Sequence, residues 1–205
     1  MTKIFEENEY QKAAECLLAG NVVCFPTETV YGIGVIYDKE ASFDALVAAK
    51  HRAPDKPFAL MCSSFDMAKQ YIDVSPKLLK VMEHFLPGEV TFLVKAKQNL
   101  PDWVTLGTGI IGIRVPNSLF VQSLIGNVGK PCLVTSANIS GEPASTSFEE
   151  TYQVFYGVVP AIVRGTCHSL KASTIIDASN EKEVKLIREG SLPYQTVLDY
   201  WRETV

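Results

Sequence analysis

The sequence predicts an α/β fold: a twisted mixed sheet with flanking helices and a concave face open to ligands. Short apolar, β-branched runs alternate with segments of helical periodicity along most of the chain. Three strand-like runs then cluster late, at 160–164, 173–177 and 184–188, which argues for a mixed sheet over a purely parallel one. No repeat, linker or charge block divides the 205 residues, so residues 1–205 read as one domain.

The elements follow in order. Residues 8–19 set Tyr10, Ala13, Ala14, Leu17 and Leu18 on one helical face, and Gly20 is a ready stop. Val22 to Phe25 reads as a buried strand closed by Pro26. Asp38 caps a helix over 39–51, with Phe43, Leu46, Val47 and Lys50 at helical spacing. Pro57 to Cys62 is a second strand. Ser63 and Ser75 each open a short helix, the latter with Pro76 at the favoured first position. Strands follow at 90–96 and 110–115. Asn117 then caps a helix through Ile125, and Cys132 to Thr135 returns to the sheet. Ser147 and Glu150 form a capping box before another short helix. After the three late strands, a final helix follows Pro193.

Charge and composition narrow the function classes. With 19 basic and 23 acidic side chains the net charge is −4, which argues against a surface that coats nucleic acid but permits a local basic pocket. The five cysteines are scattered, and His51, His84 and His168 stand alone, so no metal site is expected. No apolar stretch reaches the ~18 residues of a membrane helix. The opening Met1–Asn8 segment turns acidic where a signal peptide turns apolar, so a cytoplasmic protein without a membrane partner is expected. Gly107-Thr-Gly109-Ile-Ile-Gly112 matches a dinucleotide fingerprint by letter. It precedes an extended Ile113-Arg114-Val115-Pro116 segment where a helix is required, so that reading is rejected. Gly126 to Pro131 lacks the spacing and the hydroxyl of a phosphate loop.

Four polar segments at the ends of apolar runs concentrate the chemistry. Pro26 to Gly34 holds Thr27, Glu28, Thr29 and Tyr31, a set that also suits an ordinary turn satisfying its own backbone. Lys50 to Pro57 carries Lys50, Arg52 and Lys56. Cations complement a helix C-terminus, but that does not account for Lys56 beyond Pro54; a polyphosphate site and a solvated basic turn weigh equally. Arg114 stands alone in an apolar strand, either paired with one of the 23 acids or held as a forked donor for a carboxylate or phosphate. Thr135 to Pro143 offers small residues whose N–H groups and hydroxyls cradle an anion, or a nucleophilic Ser136 lacking a local base. Ser173-Thr174 and Arg188-Glu189-Gly190 add hydroxyls and another strand-end arginine.

In this order the segments resemble the YrdC-type threonylcarbamoyl-AMP synthases. The resemblance runs from Val22 to about Gly190 and rests on PTETVYGIG at 26–34, KHRAPDKP at 50–57, PGEVTFLV at 87–94, RVP at 114–116, TSANISGEP at 135–143, STIID at 173–177 and REG at 188–190. It implies a twisted α/β sheet with a concave substrate face. It also implies a nucleotidyltransferase reaction joining L-threonine, bicarbonate and ATP into threonylcarbamoyl-adenylate, with release of pyrophosphate, for modification of adenosine 37 in tRNAs reading codons that begin with A.

By the same resemblance, Thr29, Arg114, Ser136 and Ser173 would hold L-threonine or its carbamate. Lys50, Arg52, Lys56, Asn138 and Arg188 would face ATP, with Mg2+ carried on the phosphates and no covalent nucleophile. Contact with tRNA and downstream threonylcarbamoyl-transferase proteins are implied partners. Met61, Ile110 and Ala144 depart from residues common in the family, a histidine, a hydroxyl residue and a serine. Two other readings compete: a related RNA- or nucleotide-binding domain without synthesis, and a hydrolase using Ser136.

Overall fold

The computed structural model describes residues 1–53, 57–98 and 100–205. Among them are strands β1 (Lys3–Glu6), β2 (Val23–Phe25), β3 (Gly32–Ile36), β4 (Ala59–Met61), β5 (Val90–Lys95), β6 (Ile110–Arg114), β7 (Cys132–Ser136), β8 (Ala161–Arg164), β9 (Thr174–Asp177) and β10 (Lys185–Arg188). The α-helices are α1 (Tyr10–Leu18), α2 (Glu40–Lys50), α3 (Phe65–Lys69), α4 (Pro76–Phe85), α5 (Asp102–Thr105), α6 (Leu119–Val128), α7 (Phe148–Phe155) and α8 (Tyr194–Glu203). All the strands join one sheet in the order β1-β8-β2-β3-β7-β4-β6-β5-β9-β10. The β2/β3, β3/β7, β4/β7, β5/β6 and β9/β10 pairs are antiparallel, and the β1/β8, β2/β8, β4/β6 and β5/β9 pairs are parallel. This is the mixed sheet expected from the pattern.

Each face of the sheet has its own core. Residues directly opposite one another across a ladder share a face, and the faces alternate along each strand. One set, including Ile33, Leu60, Phe92, Ile113 and Leu133, packs with Leu46, Leu78 and Val197 of α2, α4 and α8. The other, including Val23, Phe25, Met61 and Val134, packs with Leu17 of α1 and Leu124 of α6. On that second face, Gly34 lies opposite Val134, Val134 opposite Ala59, and Ala59 opposite Gly112. On the same face, Gly32, Ala59 and Val134 form part of the floor of an open recess.

Three caps fall one residue from their expected places. Lys39, not Asp38, precedes α2, because the Asp38 carboxylate is paired with Lys130 at 2.7 Å. Ser64 caps α3 and Ser118 caps α6, in place of Ser63 and Asn117, each accepting a backbone N–H three residues on. Helix α6 also runs to Val128, where Gly129 turns it off at φ 73°. Ser75 and Pro76 open α4 as expected. Ser147 accepts from the Glu150 N–H, but Glu150 reaches back to Thr146 instead of the cap. Strands β1 and β3 and helix α5 were not expected. Gly107 and Gly109 form a left-handed loop into β6, and Gly112 lies inside the strand, so the dinucleotide fingerprint is absent as structure. All five cysteines are free. No helix among the described residues is long and apolar enough to cross a membrane.

Candidate functional site

The recess is an open cavity of about 210 Å³ whose lining comes from strands and loops. Its polar side chains include Thr27, Arg52, Arg114, Ser136, Ser173 and Arg188, set beside the apolar Phe58, Met61 and Val134. Five of the nine residues singled out from the sequence therefore meet here: Arg52, Arg114, Ser136, Ser173 and Arg188. Thr29, Lys50 and Asn138 stand behind the wall, and Lys56 lies outside the described residues.

Register explains the convergence. The β2–β3 connection holds the Pro26–Tyr31 loop, and Gly32 of β3 pairs with Ser136 of β7. Arg114, the last residue of β6, pairs with Met61 of β4. Val90 of β5 pairs with Thr174 of β9, which sets Ser173 at the rim, where its hydroxyl is 3.1 Å from that of Thr91.

The first loop is self-supporting. Thr27 Oγ1 donates to the Val30 carbonyl at 2.7 Å and accepts the Thr29 N–H at 3.1 Å. With that proton committed, Thr29 Oγ1 donates to Thr27 Oγ1 at 2.9 Å and accepts from Arg114 Nη2 at 2.6 Å. Thr29 is fully buried, so its hydroxyl orients Arg114 and does not face the cavity. Arg114 is also paired with Glu28 Oε1 at 3.0 Å, so the ion-pair alternative weighed for this arginine is realised while it still lines the cavity.

Lys50 takes a different place from the one implied for it. It ends α2 with 1% of its surface exposed. Its Nζ donates to the Ser136 carbonyl at 2.6 Å, the Asn138 carbonyl at 2.8 Å and Asn138 Oδ1 at 3.2 Å. Three protons meet three acceptors, which leaves none for a phosphate. Asn138 is equally committed. Its Nδ2 donates to Ile139 O and Glu142 O, and its Oδ1 accepts from Ser136 Oγ at 2.7 Å. Both residues build the loop after β7 and present Ser136 to the cavity.

Desolvation, followed by the Arg52 charge, pulls the Lys50 pKa down to about 8. Between that value and the 10.5 of a free lysine, the unfolded chain holds more protons, so this group's contribution to stability grows as pH rises. The neutral amine has only two protons for three acceptors, so the loop loosens. Activity is expected to fall on the alkaline side with an apparent pKa near 8, without a matching fall in melting temperature. A pH–rate profile paired with melts at each pH checks this; parallel losses would assign the limb to unfolding.

Two further cations, Arg188 and Arg52, line the cavity. Arg188 Nη2 donates to the Ser173 carbonyl at 2.8 Å, and burial followed by the nearby Arg114 charge lowers its pKa. Arg52 Nη2 donates to the Pro57 carbonyl at 3.1 Å, and its guanidinium lies 4.9 Å from the Phe58 ring centre. Among the described residues, the lining side chains include no carboxylate. Such a set favours an anion carrying several negative oxygens. The described residues hold no group of three acids, histidines or cysteines of the kind that holds a divalent metal.

Sequence reasoning took Thr29 from the first loop and assigned no role to Thr27, Glu28 or Thr91. Nothing in a Thr-Glu-Thr string tells which hydroxyl faces inward. The lone strand arginine did signal a buried acid, without saying which.

Fold and site together define an α/β protein with a cationic, hydroxyl-lined cavity on an uncovered sheet face. Residues 15–190 match the Sua5/YciO/YrdC family model, described as telomere recombination, and the chain belongs to that family. It is 32% identical over 187 residues to a threonylcarbamoyl-AMP synthase of Vibrio parahaemolyticus, covering 89% of this chain and 100% of that one. It is 31% identical over 194 residues to the enzyme of that name from Pyrococcus abyssi, covering 94% of this chain but only 57% of the longer relative. P. abyssi Sua5 solved in complex with L-threonine superposes with a TM-score of 0.91 at 30% identity, over 99% of this chain and 62% of that one. YciO of E. coli shares the fold, with a TM-score of 0.88 at 24% identity over 97% of this chain and 100% of its own.

Proposed function

We propose that this chain is an L-threonylcarbamoyladenylate synthase. The observation that carries the reading is the cavity itself, where Arg52, Arg114 and Arg188 meet the hydroxyls of Ser136 and Ser173. The threonine amine takes up carbon dioxide from bicarbonate, with loss of water, to give a carbamate. A carbamate oxygen then attacks the α-phosphorus of ATP, and the bond to the β-phosphate breaks to release pyrophosphate. Two anions must approach each other, so the work of the protein is to hold them in line against repulsion. Arg114, Ser136 and Ser173 serve the amino acid and its carbamate. Arg52 and Arg188 serve the triphosphate, and Lys56 belongs to the same reading. Mg2+ enters as part of the nucleotide substrate. Transfer of the product to tRNA and any protein that receives it are further parts of this reading.

A Ser136 nucleophile has little support. Its hydroxyl donates to Asn138 Oδ1, and no imidazole is among the cavity's lining residues. The synthase reading requires pyrophosphate release that depends on both L-threonine and bicarbonate, with serine and valine as controls. Release indifferent to threonine from a folded protein would refute it. Within the reading, Arg52→Ala should raise the KM for ATP about tenfold or more, the worth of a lost charged hydrogen bond. The melting temperature should change little, whereas a collapse matching the activity loss would make Arg52 structural.

A further inference from the structure

We infer that Glu28 is a positioning residue that aims Arg114 into the cavity. Glu28 does not line the cavity; it packs behind Arg114, 6% exposed against 8% for the arginine. Its Oε1 and the Thr29 hydroxyl take both protons of Arg114 Nη2, at 3.0 and 2.6 Å. That fixes the guanidinium plane and leaves Nη1 and Nε outside the contact. The Glu28 backbone is held from the far side, where its carbonyl accepts the His168 N–H at 3.3 Å and the Ser169 N–H at 3.0 Å. The acid therefore sits in a rigid mount.

The form of the pair separates aiming from simple stabilisation. Glu28 Oε2 and Arg114 Nε are both buried and both without a hydrogen-bond partner. A pair selected only to stabilise the fold would close the two-bond fork that arginine and carboxylate allow. Leaving two buried polar atoms unmet costs stability, and a well-packed apolar pair would serve the fold as well or better. What the single-armed contact secures is direction: one terminal nitrogen faces the loop, and the remaining edge is kept from it.

The kinetic test rests on the synthase reading, so it is joined to a measurement that does not. Glu28→Gln keeps the size of the side chain while removing its charge. In the wild-type background it should raise the KM for L-threonine about tenfold, with little change for ATP. In an Arg114→Ala background the same substitution should change that KM by less than about twofold, because a residue that acts through another is silent once the other is gone. An equal effect in both backgrounds, or none in the wild type, overturns the inference. Independently of any reaction, the Arg114 Nε–H resonance of the substrate-free protein, identified by its loss in Arg114→Ala, should move in Glu28→Gln. An unmoved resonance overturns the inference even if the protein proves not to be a synthase. A moved one, with no threonine-dependent pyrophosphate release, supports it and refutes the synthase reading alone.

Discussion

Lys50→Met should reduce turnover about a hundredfold or more while leaving the sheet folded, since each charged hydrogen bond lost is worth about 1.5–3 kcal/mol. The methionine fills the same channel but leaves the Ser136 carbonyl, the Asn138 carbonyl and Asn138 Oδ1 without their donor. Those acceptors hold the loop after β7, and Ser140 N–H also donates to the Lys50 carbonyl, so loop and helix end are one unit. Removing a buried charge returns part of the desolvation cost, which tempers the loss of stability. The diagnostic result is a rise in KM for threonine, because a loosened loop misplaces Ser136, which serves the amino acid. A rise confined to ATP would instead make Lys50 a direct phosphate ligand. Full activity in the variant would remove the strut altogether.

Gly190→Ala is the second large effect. A Cβ at this position would lie 2.0 Å from the Ala172 carbonyl oxygen, and 2.4 Å from both the Ser173 carbonyl carbon and the Thr174 nitrogen. All three are backbone atoms, so the strand must move. The Gly190 N–H also donates to Thr174 Oγ1 at 2.9 Å, and Arg188 two residues earlier holds the Ser173 carbonyl. The clash therefore reaches two cavity side chains through one segment. A loss of about 1–3 kcal/mol is expected, together with lost activity that added substrate does not restore. Gly126→Ala is the control. Its Cβ meets nothing closer than 4.0 Å and it sits within α6, so it should be neutral or stabilising. Equal melting temperatures for the two variants would contradict the packing argument.

The fold was most legible where burial and pattern agree. The apolar runs of β2, β5, β6 and β7 and the capped start of α4 announce themselves. Strand β3 did not, because its two glycines read as turn residues. Gly34 is needed there because a Cβ would stand 2.8 Å from Val134 Cγ2 and 2.9 Å from the Leu133 carbonyl, a demand set by a strand about a hundred residues away. The caps slipped by one because several capping residues stand side by side, and tertiary contacts such as Asp38 with Lys130 decide among them.

The site was legible as chemistry but not as direction. Motif order gathered the right loops, and five of the marked side chains do line one cavity. Whether a polar residue faces the ligand or braces its neighbour depends on hydrogen bonds closed across the sheet. Lys50 and Asn138 share their loop with Ser136, yet only Ser136 is turned inward. Thr29 is braced against Arg114 by the same logic, and Glu28 went unmarked because its partner lies 86 positions along the chain.

On the proposed function, one cavity joins a threonine-derived carbamate to the α-phosphate of ATP. The most direct test supplies 13C-bicarbonate with L-threonine and MgATP and follows the adenylate by mass spectrometry. A threonylcarbamoyl-adenylate carrying the labelled carbon and formed in step with pyrophosphate is expected. An unlabelled adenylate, or pyrophosphate released without any threonine adduct, would contradict it.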